Sequence, residues 1–333
     1  DINLKDFSKD SNYFEPIMHY LNQMNASIGN LEGLLAEPKE LYYKPGFTHV
    51  GEGHAPILAK AGFKAFNLAN NCTFGAEPIK TTLKQLDEAG IAHTGAGMNI
   101  AEAKKPAIID VNGYRIGIVS GGTAVFWPIG HAATEKEAGV VPIPVTTSYQ
   151  PNSRYMEMPG APPKVLTVVH PEYIKDLQEQ INALRQEVDI VVAFFHFGLS
   201  SRREIVDYQR ELAHAAIDAG ADVVLGSHTH VIQPIEVYKN RPIVYGMGQV
   251  IYGWDFVARK ALPGQPGLIV ELDIDSNDKL SYSATFVKPD ENLLPRIVSF
   301  ADVPEEVEYL RSTSSAVIEF KEDRITINTN VNS

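Results

Sequence analysis

The chain has 333 residues, of which 44% are hydrophobic and 21% are charged, as is typical of an ordinary soluble globular protein. This length suffices for one large domain or two small ones with a sizeable core. The net charge of −12 argues against a nucleic-acid partner, because no excess of Lys and Arg exists to neutralise phosphates.

The first part of the chain alternates short strands with helices. Strand-like apolar runs at 26–29 and 62–68 each end in polar residues. Apolar residues with helical spacing predict a helix over 77–89. The pair Asn112-Gly113 lies between two apolar runs and predicts a hairpin, because both turn positions favour positive φ.

The second part contains the clearest helix and strand pairs. Apolar residues recur at spacings of three and four over 171–188, and the apolar run 189–195 predicts a buried strand. A second pair follows at 208–219 and 222–225. Continuous apolar strands that alternate with amphipathic helices predict an α/β layered fold with a covered sheet. Further hairpins are predicted at 235–245, 268–288 and 316–328.

Residues 124–165 are rich in Pro, Gly, Thr and aromatic side chains and lack clear periodicity. A loop of this length inside a compact domain is usually functional or disordered, and we interpret it as a lid. Trp127, Arg154 and Tyr155 are its candidate substrate-binding residues, since Arg can clamp a carboxylate or phosphate through two hydrogen bonds. The aromatic residues could equally pin the loop to the body of the protein.

Arg202 is a further candidate for substrate binding, because it follows the predicted strand that ends at His196. An ordinary solvated loop is the alternative interpretation of this arginine. The domain prediction assigns 1–298 to the main domain and 299–333 to a C-terminal appendage with a short helix and a hairpin.

Nitrogen and oxygen donors follow four predicted strands at their carboxyl ends. In open α/β sheets ligands collect at this edge, and imidazole together with carboxylate and amide oxygens suits a centre of two divalent metal ions. A lone histidine near a strand end is more often structural, and a lone Asn is more often a turn residue. The joint pattern nevertheless predicts a metal site at Glu32, Asn71, His196, His228 and His230.

Several motifs occur here in combination, and together they resemble the CapA/PgsA family of poly-γ-glutamate capsule synthesis proteins. That family belongs to the calcineurin-like metallophosphatase superfamily, and the resemblance covers roughly residues 1–290. The motifs are Asn30-Leu31-Glu32, the run 67–71, the Gly-Ala-Gly-x-Asn motif at 95–99, His196-Phe197-Gly198 and the long run 219–230 that ends in Gly226-Ser227-His228-Thr229-His230.

The resemblance implies a four-layer αββα sandwich of mixed sheets, metallophosphatase-like, that carries two divalent ions, Mn, Zn or Fe. Glu32 is implied to be the carboxylate that bridges them. The implied metal ligands are Asp1, Glu32, Asn71, His196, His228 and His230, and the candidate catalytic residues are Cys72, His196 and His230.

Three departures from the family and superfamily patterns stand at Asn3, Cys72 and Gln249. Cys72 replaces the His that helps to protonate the leaving group in the superfamily. A neutral thiol with a reference pKa of about 8.5 is a poor general acid near pH 7. Cys72 is therefore either a thiolate nucleophile beside two cations or a small residue that fills the space of the His.

These observations predict a metal-dependent hydrolase in which activated water attacks an amide of the γ-glutamyl type or a phosphoester bond. The substrate would be a small molecule or polyglutamate. The alternative is a non-catalytic accessory protein that binds polymer or partner proteins in capsule synthesis. A nucleotide phosphatase is disfavoured because the chain has no glycine-rich phosphate loop.

The cellular location and the oligomeric state are left open by the sequence. Cys72 is the single cysteine, so no intramolecular disulfide marks an oxidising compartment. No apolar stretch reaches the roughly 18 residues that a membrane-spanning helix needs. No signal peptide is visible, and the first residue is Asp1 rather than Met, from which we expect a segment that was processed away or omitted.

Overall fold

The structure is a computed structural model that describes residues 1–40, 48–125, 131–252 and 265–329. Within these ranges the chain is a mixed α/β protein with several sheets, as the sequence predicts. Trp127, a predicted substrate-binding residue, lies outside the described residues.

The amino-terminal part forms a parallel sheet of three strands. The strands are β1 (Ser27–Asn30), β2 (Phe63–Asn67) and β3 (Ala92–Thr94), and the helices between them are α1 (Glu15–Leu21), α2 (Ala55–Lys60) and α3 (Ala76–Glu88). Leu58 of α2 and Ile79 of α3 share an apolar core with Phe66 of β2. Because Asn30 pairs with Asn67, β1 and β2 end at the same edge.

A short connecting region follows this sheet and includes the first part of the predicted lid. The strands β4 (Ala96–Gly97) and β7 (Gly139–Val140) pair antiparallel beside the helix α4 (Ile100–Ala103). His131, Val140 and Ile143 are buried here, with His131 fully inaccessible to solvent. Residues 131–133 and 139–143 are therefore buried, whereas 134–137 between them are exposed.

The central sheet has six strands in the order β12-β13-β11-β10-β6-β5. The strands are β5 (Ala107–Val111), β6 (Tyr114–Gly122), β10 (Ile190–His196), β11 (Val223–Ser227), β12 (Ile235–Tyr238) and β13 (Arg241–Val244). The hairpin predicted at Asn112-Gly113 is confirmed as the antiparallel pair β5–β6. β10 lies parallel to both of its neighbours, and His196 aligns with Gly122 on one side and Ser227 on the other.

Two helices cover one face of the central sheet. They are α5 (Pro171–Leu184) and α6 (Asp207–Asp218), and they confirm the helices predicted at these positions. Along β10, Val191 and Phe195 pack against the helices, whereas Val192 and Phe194 face the opposite core. This alternation is the two-residue period of a strand that is buried on both faces.

The third sheet packs against the opposite face of the central sheet, where Leu268 and Phe286 share a core with Phe194. It contains β14 (Gly267–Ile274), β15 (Leu280–Pro289), β16 (Pro295–Ile297), β17 (Val317–Lys321) and β18 (Arg324–Asn328). A short 3-10 helix (Phe300–Asp302) and α7 (Pro304–Thr313) precede the last hairpin. β18 pairs with β15, so the predicted C-terminal appendage takes part in this sheet.

The rest of the predicted lid forms a separate hairpin. β8 (Val145–Gln150) and β9 (Lys164–Val169) pair antiparallel, and the tip between them is mostly exposed. The segment 124–165 therefore includes a buried part and an exposed arm, and its role as a lid stays a prediction. None of the helices in the described ranges is long and apolar enough to cross a membrane.

His131 makes the fold sensitive to acid. Burial lowers the pKa of His131 to about 4, below the ordinary value of 6.5, although its Nε2 lies 2.9 Å from the carbonyl oxygen of Asn70. Between these two pH values the unfolded chain binds a proton that the folded protein excludes, so stability falls as the pH falls.

Between pH 7.5 and pH 5 we expect the unfolding free energy of the wild type to fall by about 2 kcal/mol more than that of His131→Gln, which lacks the buried imidazole. Urea denaturation of the metal-free protein at the two pH values measures this difference. An equal loss in both proteins would contradict the assignment. His170→Gln, which changes a partly exposed histidine, serves as the matched control.

Candidate metal centre

The structure brings all six predicted metal ligands to one edge, where parallel strands end. Glu32 and Asn71 follow β1 and β2, His196 ends β10, and the loop after β11 carries the last two histidines. All of them except Asn71 and His228 are almost completely buried. The ligands form two groups that differ in their chemistry.

The first group is Asp1, Glu32 and His230. One donor atom from each lies within 4.8 Å of the other two, as binding of one metal ion requires. His230 Nδ1 is 3.2 Å from an Asp1 carboxylate oxygen, and His230 Nε2 is 3.6 Å from Glu32 Oε1. Two carboxylates and one imidazole suit a divalent ion of intermediate hardness.

The second group is Asn71, His196 and His228. His196 Nε2 lies 2.5 Å from Asn71 Oδ1 and 3.0 Å from His228 Nδ1. Three donor atoms therefore face one another across a small volume. The groups are adjacent, because the backbone nitrogen of His228 donates a hydrogen bond of 3.3 Å to Asp1 Oδ2.

Asn30 links the two groups, although the sequence did not identify it as a ligand. Its Nδ2 donates to Asp1 Oδ1 at 2.8 Å and lies 3.5 Å from His196 Nδ1. Its Oδ1 accepts hydrogen bonds from the side chains of Asn67 and Asn70. Because both ends of the amide are engaged, the orientation of the Asp1 carboxylate is fixed.

Ser227 is a second positioning residue that the sequence alone did not identify. Its hydroxyl lies 2.9 Å from His196 Nδ1, so the other ring nitrogen of His196 is directed at Asn71 and His228. Partners of this kind fix the tautomer and the ring orientation of a metal-ligating histidine. The register of β10 and β11 sets Ser227 beside His196.

Asn3 accounts for one departure from the superfamily pattern. Its Nδ2 donates a hydrogen bond of 2.6 Å to the carbonyl oxygen of Glu32, and the side chain is buried. Asn3 therefore holds the backbone of a ligand and does not point at the metal groups as a donor.

The loop after β11 directs both of its histidines into the site through an unusual backbone. His228 has a φ of 86° and His230 a φ of 56°, which is the left-handed region that most residues avoid. Backbone strain of this kind persists where the surrounding structure fixes it, often at functional sites. Gly226 is required just before, since a Cβ there would lie 1.9 Å from the carbonyl oxygen of Tyr245.

Burial keeps the three histidines neutral. Desolvation lowers the pKa of His196 and His230, and it lowers the pKa of His228 to about 3 from an ordinary 6.5. Neighbouring imidazoles oppose the charge of His196 further. A neutral imidazole keeps the lone pair that binds a metal, so the histidines are ready as ligands at neutral pH.

The surroundings of Glu32 decide whether these residues fit a metal ion. Glu32 is completely buried, burial raises its pKa, and the nearby His230 opposes that shift. Glu32 Oε2 has no hydrogen-bond partner within the described part of the chain. A buried carboxylate oxygen without a donor is costly unless a cation neutralises it, so the residues present fit divalent metal ions.

Cys72 lies against the site without facing solvent. Its Sγ is 3.9 Å from Glu32 Oε1 and 4.0 Å from Asn71 Nδ2, and the residue is fully buried. The thiol therefore contacts the side chains of two predicted ligands.

Three of the four predicted substrate-binding residues lie on the surface. Arg154 is exposed and pairs with Glu157 at 2.8 Å, and Tyr155 is 60% exposed at the tip of the arm. Arg202 is exposed in the loop that follows His196. The structure thus brings the metal ligands together, whereas substrate binding by these three residues stays a prediction.

Comparison with known proteins assigns the family. The family model of the bacterial capsule synthesis protein PGA_cap matches residues 3–253. The chain belongs to this family. The matched region includes five of the six ligands and begins just after Asp1, so the place of Asp1 in the site rests on the geometry described above.

Three relatives illustrate the similarity. The capsule biosynthesis protein CapA of Bacillus anthracis is 31% identical over 75% of this chain and 56% of its own length. The PGA biosynthesis protein CapA of Bacillus subtilis is 29% identical over 75% of this chain and 59% of its own length. A probable polyglutamine synthesis accessory protein of Mycobacterium tuberculosis is 28% identical over 62% of this chain and 50% of its own.

The chain thus spans between half and three-fifths of the length of these relatives. A solved structure of a hypothetical protein from Thermus thermophilus covers 86% of this chain and 90% of its own, with 16% identity and a TM-score of 0.40. That similarity is too low to support a fold assignment.

We expect Mn²⁺ or Zn²⁺ to raise the melting temperature of the wild type, because an ion that binds only the folded state stabilises it. Glu32→Gln should abolish most of this shift, since it removes the charge that neutralises the ion. Differential scanning fluorimetry with and without metal measures the shift. Glu88→Gln, which changes an exposed carboxylate, is the matched control. A full metal shift in Glu32→Gln would disprove the role of Glu32.

Proposed function

We propose that the protein is a metal-dependent hydrolase with a centre of two divalent ions, Mn, Zn or Fe. Glu32 carries this proposal, because its buried carboxylate lies beside the first ligand group and has an oxygen without a partner among the described residues. The calcineurin-like superfamily and its four-layer αββα sandwich form part of the same proposal. The helices over one face of two packed sheets support that architecture.

One ion would be held by Asp1, Glu32 and His230, and the other by Glu32, Asn71, His196 and His228. Two ions in such a site polarise the scissile bond and lower the pKa of a water molecule. The chain itself contributes rigid ligand orientation through Asn30 and Ser227, and it contributes neutral imidazoles through burial.

The bond that we propose is an amide of the γ-glutamyl type. Water adds to the amide carbonyl carbon, the C–N bond breaks, and the products are a carboxylic acid and an amine. The names of the Bacillus relatives refer to capsule and PGA biosynthesis, which supports a polyglutamate or a smaller γ-glutamyl substrate. The absence of an imidazole acid at Cys72 weighs against ordinary phosphoester cleavage.

An accessory role without catalysis is the second candidate. It is favoured by the buried thiol at Cys72 and by the name of the Mycobacterium tuberculosis relative. In this case the edge of the sheet would bind polymer or a partner protein while no bond is cleaved.

The two functions are separated by hydrolysis of a chromogenic γ-glutamyl anilide, with p-nitrophenyl phosphate as the phosphoester comparison. The metal-loaded wild type should release the aniline, and His228→Ala should be at least about 100-fold slower. The partly exposed His170→Gln should retain full activity. Absence of turnover on either substrate, together with polyglutamate binding by both wild type and His228→Ala, would establish the accessory role.

We further propose that Cys72 fills space and takes no covalent part in the reaction. Its complete burial supports this, since a nucleophile must reach the substrate. Cys72→Ala should change kcat by no more than about threefold, and alkylation of the native protein by iodoacetamide should be slow. A loss of activity of several hundredfold in Cys72→Ala with unchanged metal content would show that the thiol is the nucleophile.

A further inference from the structure

Two fully buried side-chain amides connect the loop that follows β10 with the loop that follows β11. Gln209 lies in the first turn of α6, and Gln233 lies in the loop between β11 and β12. Gln209 Nε2 donates a hydrogen bond of 2.9 Å to Gln233 Oε1. We refer to these two residues as the amide pair. Because a buried amide without partners is costly, its other hydrogen bonds show what the pair holds in place.

The remaining hydrogen bonds of the amide pair go to the loop between β10 and α6. Gln209 Oε1 accepts a hydrogen bond of 3.2 Å from the backbone nitrogen of Val206. Gln233 Nε2 donates to the carbonyl oxygens of Arg202 at 3.2 Å and Glu204 at 2.9 Å. Every nitrogen and oxygen of the two amides therefore has a partner. A buried polar network with all of its members satisfied is rigid and favours one arrangement of the backbone.

The loop that carries His228 and His230 is attached to the same network. Gln233 belongs to this loop and follows the second histidine by three residues. Thr229 lies between the two histidines and is fully buried, and its hydroxyl donates a hydrogen bond of 2.8 Å to the carbonyl oxygen of Val231. The loop is therefore folded closely on its own backbone and ends at a member of the amide pair.

The two loops also contact each other directly. The backbone nitrogen of Ser201 donates a hydrogen bond of 2.8 Å to the carbonyl oxygen of Thr229. A Cβ at Gly198 would lie 2.7 Å from Thr229 Cγ2 and 2.8 Å from Gln209 Nε2. The hydroxyl of Tyr208 accepts a hydrogen bond from the nitrogen of Gly198 and donates one to its carbonyl oxygen. The two loops are thus packed as one unit.

We infer that the amide pair holds the strained backbone of His228 and His230 in place and so positions both imidazoles for the metal ions. Both residues have a left-handed φ, which persists only where the surrounding structure fixes it. The pair fixes it by joining their loop to the loop that follows His196. This inference rests on the proposed metal centre for the role of the histidines as ligands.

The test compares Gln209→Met and Gln233→Met with a matched control. Methionine keeps the length of the side chain and removes its amide hydrogen bonds. The control is Tyr282→Phe, which removes a buried hydrogen bond of 3.0 Å to the carbonyl oxygen of Asp222, beside the opposite end of β11. All three variants should lose stability towards urea, because each loses a buried hydrogen bond.

Metal binding separates a positioning role from a purely structural one. Titration calorimetry with Zn²⁺ should show binding about 10-fold to 100-fold weaker in both methionine variants, as is usual when a residue that orients a ligand is lost. The absorption spectrum of bound Co²⁺ should change in the same two variants. Tyr282→Phe should keep the affinity and the spectrum of the wild type. An affinity loss no larger than that of the control would overturn the inference.

Amide exchange in the metal-free proteins gives a second measurement that needs no metal. Exchange over 199–206 and 228–233 should be at least about tenfold faster in both methionine variants and unchanged in Tyr282→Phe. Unchanged exchange over 228–233 would overturn the inference. If the wild type binds no metal, the proposed centre fails, and the exchange data still decide whether the pair holds the loop.

A double variant tests whether the two amides act together. Because Gln209 and Gln233 bond to each other, the loss in Gln209→Met/Gln233→Met should not exceed that of the more severe single variant by more than about twofold. Fully additive losses would contradict action as a pair. Gln209→Met loses fewer hydrogen bonds than Gln233→Met, so it serves alone if the other variant does not fold.

Discussion

The buried carboxylate of Glu32 is the group on which the rest of the site depends. Its burial raises its pKa, and the partner that would favour the ionised form, His230, is itself kept neutral by desolvation. Burial therefore disfavours the charged forms of both groups. A divalent ion would reverse this effect on Glu32, because it would favour the ionised carboxylate, and it would bind the lone pairs of the neutral imidazoles.

The register of the sheets sets the positions of the side chains that surround Glu32. The parallel pairings of β10 with β6 and β11 bring His196 beside Ser227 at the carboxyl edge, and the pairing of β1 with β2 brings Asn30 beside Asn67. Side chains at these positions are held by strands and not by free loops. The left-handed backbone at His228 and His230 is strained, and the close packing around Gly226 holds it in this conformation. Rigidity of this kind suits a site whose donors must keep fixed positions.

The sequence predicted a mixed α/β fold and candidate donors at strand ends because both have local signatures. The apolar run 189–195 and the helix at 171–188 are continuous patterns, and the histidines follow such a strand directly. The positioning roles of Asn30 and Ser227 could not be predicted, since each depends on side-chain contacts between residues that are far apart in the chain. The interior position of His131 was missed for a related reason, because an irregular segment without periodicity gives no indication of burial.

The exposed arm formed by β8 and β9 shows the limit of pattern-based prediction at the tertiary level. β8 and β9 carry no clear alternation, and they pair only with each other among the described strands, so their sequence resembled a loop.

Anomalous diffraction from crystals grown with Mn²⁺ or Zn²⁺ would locate the two proposed ions. We expect two peaks, one in contact with Asp1 and His230 and one in contact with Asn71 and His228, with an oxygen of Glu32 bound to each. Two-metal sites hold their ions about 3.5 to 4 Å apart, so the peaks should be resolved. A single peak that Glu32 does not contact, or no peak at this edge at saturating metal, would disprove the proposed centre.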